Sequence, residues 1–326
     1  MKLPRTSVLA AAFLTAAAGG NALAQAWPSA KPVVIVISYP AGGDTDAIGR
    51  AYAEKLSQRL GQQVIIDNRP GASGTIGNAY VAKAPADGYT LLFTPSTFPI
   101  AQHVLKVSPT VAHDVNRDFT PIIKTGNIPL LAVTSPSTGI KDMKQAIADA
   151  KSGKTLTYGS PGIGSPMHIA GEMLNKGAGI KMNHVSYKGV APVVTDALGG
   201  HVSIGWITPG AVGQHVATGK LIPLAVAERQ RTKLMPGVPT LIELGYKELD
   251  ISAWMGLVGP RGMPADIVRS LNGHMNEVLK MPDVMARMAS LGIEPTGGDP
   301  SVMARQIADD DSRFGKLVQE FGIRAE

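Results

Sequence analysis

The chain of 326 residues contains no cysteine. That excludes disulfide bridges, thiolate metal sites and cysteine nucleophiles, and it leaves any folded part to be held by its core alone. Aromatic residues are scarce at 5%, so the core is expected to be built from Ala, Val, Ile and Leu. Charged residues make up 17% and are scattered. The densest basic stretch, Arg229 to Lys233, is too short to serve as a nucleic-acid or lipid footprint, and neither class of partner is expected. Long hydrophobic runs are missing as well. The apolar stretch around Val8 to Ala18 is interrupted by Gly19-Gly20-Asn21, short of the roughly 20 residues a spanning helix needs.

What is present begins with an export signal. Basic Lys2 and Arg5, the apolar run and the small-x-small sequence Ala22-Leu23-Ala24 are the three parts of a secretory leader, which predicts a signal peptide over residues 1–24, cleavage before Gln25 and a periplasmic destination. Removing Lys2 and Arg5 takes the formal charge from +6 to +4, a mild excess that favours anionic solutes. About 300 residues remain, more than one core usually organises, so two lobes are expected.

Strand and helix patterns alternate. Val33 to Ser38 is a continuous apolar run, Tyr39-Pro40-Ala41-Gly42-Gly43 turns the chain, and Ile48, Ala51, Tyr52, Leu56 and Leu60 recur at helical spacing until Gly61. The unit repeats: Val64 to Ile66 as strand, Asn68 to Gly74 as loop, Ile76 to Lys83 as helix, Thr90 to Thr94 as strand. A second series starts near Leu130 to Thr134. It continues through a helix at Lys141 to Lys151, a strand at Thr155 to Tyr158, a glycine-rich loop and a helix at Met167 to Leu174. Strands at 182–186, 202–206 and 221–227 with a helix at 191–198 complete it.

Such alternation predicts an α/β fold with mostly parallel sheets. The closing elements, a strand at 252–258 and helices at 265–279, 283–291 and 302–321, are expected to return to the first lobe. Lobe 1 is then 25–125 plus 248–326 and lobe 2 is 126–247, with hinge crossings near Lys124 to Asn127 and Tyr246 to Asp250.

Four loops share one geometry, leaving the carboxyl end of a strand through small residues and entering a helix: Pro40 to Asp44, Gly71 to Thr75, Ser160 to Ser165 and Gly189 to Ala191. In open parallel sheets ligands bind there. Glycine lets backbone N–H groups approach a ligand, and a helix start favours an anion. Each turn alone also serves as a plain tight connection; together they point to an anion cradle. Hydroxyls of Thr94, Ser96, Ser160 and Ser165 add donors.

Other chemistries fit poorly. Gly71, Gly74 and Gly77 follow the wrong spacing for a dinucleotide fingerprint and no loop ends in Gly-Lys-Ser/Thr, so no cofactor is expected. The seven histidines, at 103, 113, 168, 184, 201, 215 and 274, make no metal-binding motif. Tyr158 stands where a nucleophile elbow needs its first glycine.

Several stretches, taken in order, resemble one family: Tyr39 to Asp46, Asp67 to Gly77, Ala86 to Leu92, Tyr158 to Ser165, Tyr187 to Pro192 and Gly237 to Thr240. They are similar to the periplasmic substrate-binding receptors of tripartite tricarboxylate transporters, also called Bug-type receptors, over nearly the whole mature chain. The resemblance implies a Venus-flytrap pair of lobes, a ligand carboxylate held by backbone amides and waters, and delivery to membrane permease subunits, the receptor being a monomer and not an enzyme. By position it implies ligand contacts at Tyr39, Pro40, Ala41, Gly42, Gly43, Asp46, Thr94 and Ser96. In the second lobe it implies Ser160, Gly164, Ser165, His168, Lys188 and Gly189.

In one respect this chain departs from that family. Many relatives carry an Asp in the strand, and another just beyond it, where this chain has Val202 to Thr208; Trp206 and Thr208 make that wall more apolar and suit an aromatic or aliphatic carboxylate, while Trp206 reads equally as core. The alternatives left open are a serine hydrolase using Ser160 or Ser165, and a ligand-responsive partner of a membrane sensor.

Overall fold

The computed structural model describes residues 27–106 and 108–324; the predicted signal peptide lies outside the described residues. Strand β1 (Val33–Ile37) is entirely aliphatic and lies inside the first sheet, where parallel neighbours cover it on both edges. Helix α1 (Asp44–Leu60) buries Ile48, Tyr52 and Leu56, one side at 3.6-residue spacing. Tyr52 meets Phe93 edge to face at 5.5 Å. Each aliphatic side chain so enclosed contributes about 1.5–3 kcal/mol, which is how a chain without disulfides is stabilised.

Strands β2 (Val64–Asn68) and β3 (Thr90–Pro95) flank β1, with helix α2 (Thr75–Ala82) between them in sequence and α3 (Thr97–Val104) following. The long strand β4 (Phe119–Ile128) ends this part, and β5 (Leu131–Thr134) already belongs to the second sheet. There follow α4 (Met143–Lys151), β6 (Thr157–Ser160), α5 (Pro166–Ala178), β7 (Asn183–Ser186), α6 (Val190–Gly199), β8 (Ile204–Ile207), α7 (Pro209–Ala217) and β9 (Ile222–Val226). Strand β10 (Ala253–Pro260) re-enters the first sheet, with α8 (Ala265–Val278), α9 (Pro282–Ser290), β11 (Glu294–Pro295) and α10 (Pro300–Glu320) completing the chain. Trp254 of β10 donates its indole N–H to Asp310 of α10 at 2.6 Å and so fastens the last helix to the sheet.

The sheets run β11-β4-β10-β3-β1-β2 and β7-β6-β8-β5-β9, a two-lobe α/β architecture. The expectation of mostly parallel sheets needs correction. Each sheet has a parallel trio, β2-β1-β3 and β7-β6-β8, but β10 runs antiparallel to both neighbours and so does β5. The reason is topological: these strands sit next to the crossings between lobes and enter their sheets from the hinge side, opposite to a strand that follows a crossover helix.

Candidate ligand-binding site

The turns after β1, β6 and β8 reach the other lobe or the gap between the lobes, at Asp44, Gly164 and Gly210. After β1, Pro40, Ala41, Gly42 and Gly43 stand exposed. Gly42 adopts φ +86°, a left-handed turn that only glycine makes without strain. Gly43 is the residue before α1, and no side chain caps that helix start.

Asp46 is not a free ligand contact. Buried at 4% exposure, it accepts from the Gly42 N–H at 2.9 Å, Arg50 Nε at 2.9 Å and Asn68 Nδ2 at 2.9 Å. Burial pushes its carboxyl up, but the bonds from Arg50, Gly42 and Asn68 outweigh that and hold it at about 2. Asp46 therefore shapes the turn from behind and occupies one of its amides, while Ala41 and Gly43 donate to no group among the described residues. Asn68 also reaches the Tyr39 carbonyl at 3.1 Å. Asn68 thus braces the turn, while Arg69 pairs with Asp67 at 2.7 Å and covers the Tyr80 ring.

The Tyr39 hydroxyl bonds Thr97 and the Ser73 carbonyl, and burial pushes it up to about 12, so it remains a neutral donor. Thr94 and Ser96 are buried at the end of β3, and the Ser96 amide is spent on the Trp254 carbonyl.

In the second lobe Ser165 caps α5 by accepting from the His168 N–H at 3.2 Å, while His168 Nδ1 accepts from Gly164 N–H at 3.1 Å. His168 stacks on His184 with ring centres 3.7 Å apart. The parallel register of β6 and β7, Tyr158 opposite His184, sets His184 Nε2 2.7 Å from Ser160 Oγ. Burial, then the neighbouring His184, brings His168 down to about 3, and burial brings His184 down to about 4, so both rings are neutral at physiological pH. Lys188 is exposed, and Gly189 precedes α6 with its amide bonded to the Pro161 carbonyl at 3.0 Å. Trp206, on β8, is 0% exposed in the main hydrophobic core, and Thr208 is 6% exposed.

The turns meet. A cavity of about 310 Å³ is lined from the first lobe by Asp44 and Leu291 and from the second by Val190, Ala191, Gly210 and Ala211. The Pro40–Asp44 and Gly189–Ala191 turns therefore open on one interlobe gap. Asp44 at its edge is pushed up by burial, with the nearby Arg287 opposing. The lobes touch closely at two glycines, besides the Lys176–Glu320 and Thr232–Glu294 side-chain contacts. Gly164 lies against Val104 so closely that a Cβ there falls 2.6 Å from Cγ2. Gly210, the second residue of α7, sits on the Leu291–Gly292 backbone, and a Cβ there falls 2.7 Å from the Gly292 nitrogen. Thr208-Pro209-Gly210 repeats the strand-turn-helix signature of the four loops and is the unused signal that could have found the Gly210 contact.

The pairing of Ser160 with His184 answers the question of a serine enzyme. The distance suits a nucleophile and its base, but Ser160 is 0% exposed, out of a substrate's reach, and an imidazole held at about 4 is a weak base at neutral pH. Among the described residues no group of His, Asp and Glu side chains could hold a metal ion, and no helix is long and apolar enough to cross a membrane.

Two α/β lobes joined by crossing strands, with helix starts facing one cleft, define a periplasmic solute-binding protein. Residues 48–323 match the model of the tripartite tricarboxylate transporter family receptor, and the chain belongs to that family, a family of receptors rather than enzymes. Protein BugT of Bordetella pertussis is 34% identical over 326 residues, covering 99% of each chain. Among solved structures, an R. palustris protein with adipate superposes with TM-score 0.79 at 32% identity, covering 92% of this chain and 100% of that one. MatC from Rhodopseudomonas palustris, with bound malate, gives TM-score 0.75 at 28% identity, covering 89% and 99%.

Proposed function

We propose that this chain, exported under a cleaved signal peptide, captures a small mono- or dicarboxylate between its lobes by hinge closure and delivers it to the membrane permease of a tripartite transporter. In this reading lobe 1 is 25–125 with 248–326 and lobe 2 is 126–247. Strand β4 stays paired with β10 as far as Ile128, so the first crossing lies just beyond the Lys124 to Asn127 expected, between Ile128 and Leu131, and the chain is back in the first sheet at Ala253, shortly after the Tyr246 to Asp250 expected for the second.

One observation carries the reading: two helix-starting turns from different lobes, Pro40–Asp44 and Gly189–Ala191, border the same gap. Helix starts present unsatisfied N–H groups and partial positive charge, which suit a carboxylate. The similar chains solved with adipate and malate support a carboxylated ligand. A ligand that touches both lobes binds the closed form better and shifts the population toward it.

Thermal-shift screening of a panel of carboxylates, amino acids and neutral sugars tests this, because a ligand that binds only the folded state raises the melting midpoint with its occupancy. Shifts with carboxylates are expected. Shifts confined to neutral sugars overturn the reading.

A further inference from the structure

Where the two crossings run side by side, one residue is bonded to both. The Ala227 N–H donates to the Leu130 carbonyl at 2.9 Å, on the first crossing, and the Ala227 carbonyl accepts from the Ile251 N–H at 2.7 Å, on the second. Glu228 comes next, so its backbone is fixed at the hinge itself. Its carboxyl is not: Oε1 is enclosed with no hydrogen-bond partner. Asn127 Oδ1, at the end of β4 beside the first crossing, is enclosed and unpartnered in the same way. Native structures rarely tolerate enclosed acceptors without a donor, and here two occur at one hinge.

The charges around Glu228 do not relieve it. Glu294 of β11 and Asp250 of the second crossing both stand close enough to repel it. Glu294 belongs to the first sheet, yet its Oε1 accepts from Thr232 Oγ1 at 2.6 Å and the Lys233 N–H at 3.1 Å, in the segment that follows β9 of the second. That contact joins the lobes, and register sets Glu294 opposite Asn127. The cations are engaged elsewhere: Arg229 pairs with Asp250 at 2.5 Å and Arg231 with Glu243 at 2.9 Å. Lys124 of β4 attracts Glu228, but its ammonium donates to Gln306 of α10 at 2.6 Å and also faces Asp310. A single proton on Glu228 removes the repulsion and gives its carboxyl a donor.

Resting on the receptor reading above, we propose that Glu228 is a proton-operated catch on the hinge. Protonated, it lets the lobes stay in contact around the ligand; ionised, it repels Glu294 and releases them, so that ligand binding takes up a proton and weakens as pH rises.

The direction follows from the surroundings. Burial, then Glu294 and Asp250, push the Glu228 carboxyl up from 4.5 to about 7 against the pull of Lys124. When the lobes part, Glu228 regains water and loses Glu294, and its carboxyl falls back toward 4.5. The closed form therefore holds the proton more tightly. Its advantage is fully present below 4.5 and is lost as pH rises through about 7. His168 and His184, held at about 3 and about 4, stay neutral above pH 6 and add nothing to this dependence.

Titration calorimetry with malate, succinate, adipate and benzoate tests this. At least one acid is expected to bind, about ten-fold more weakly at about pH 8 than at about pH 6, with about half a proton taken up per ligand near pH 7. The uptake is read from how the binding heat changes between buffers of different ionisation enthalpy. Glu228→Gln, a neutral side chain of the same shape, is expected to keep the low-pH affinity at both pH values and to bind without proton uptake. Equal wild-type affinity at the two pH values, binding without uptake, or a pH profile that persists in Glu228→Gln overturns the proposal while leaving the receptor reading intact. No binding by any of the four acids at either pH overturns both.

Discussion

At Gly43 the backbone has an ordinary φ of −78°, and a Cβ would meet nothing nearer than the Pro40 carbonyl at 3.7 Å. A side chain fits there without strain, next to Asp44, which lines the gap. Gly43→Asp is therefore expected to leave the ligand-free melting midpoint within about 1 °C, since aspartate is a good residue before a helix, and to weaken carboxylate binding at least about 100-fold by repulsion. Calorimetry checks this; unchanged affinity makes the turn a mere connector. The stacked His168 and His184 set the pH dependence. Both are held below the ordinary 6.5, at about 3 and about 4, so the unfolded chain takes up protons first. Their contribution is complete above pH 6.5 and is lost as pH falls toward 3. The melting midpoint is expected to drop across that interval, and less steeply in a His168→Gln, His184→Gln double variant; parallel profiles contradict the assignment. The turn residues were legible because glycine and proline act locally. That Asp46 serves the turn rather than a ligand, and that Ser160 lies on His184, depends on long-range register no local pattern carries.

Elements with continuous apolar runs or sustained helical spacing, such as β1, α1 and β10, were readable within a residue or two of their observed ends. Short elements near the crossings were not. The sequence reading passed over α3, α7 and the length of β4, because Pro99 and Pro209 mask helix starts and the mixed burial of β4 carries no clean alternation. One of these omissions hid the lobe contact between α7 and the α9 end. Since that contact is backbone on backbone, Gly210→Ala is expected to hold the lobes apart, weakening ligand binding about ten-fold or more while the ligand-free midpoint stays put. Calorimetry and melting on the same sample separate the two; wild-type affinity shows that closure does not need this contact.

The molecule as a whole follows from its alternation of strands and helices, which is why two lobes could be read before any coordinates. What could not be read is that β10 and β5 reverse direction beside the crossings, an outcome of where the chain re-enters each sheet. That arrangement leaves a parallel trio in each lobe with turns from both lobes at one gap, and the account stands on that gap shutting around an anion. Small-angle scattering along a titration with a carboxylate identified by the thermal screen measures this directly. The radius of gyration is expected to fall and saturate at one ligand per chain, and to stay at its ligand-free value for Gly43→Asp. A carboxylate that binds at one per chain with no change in the scattering curve contradicts it.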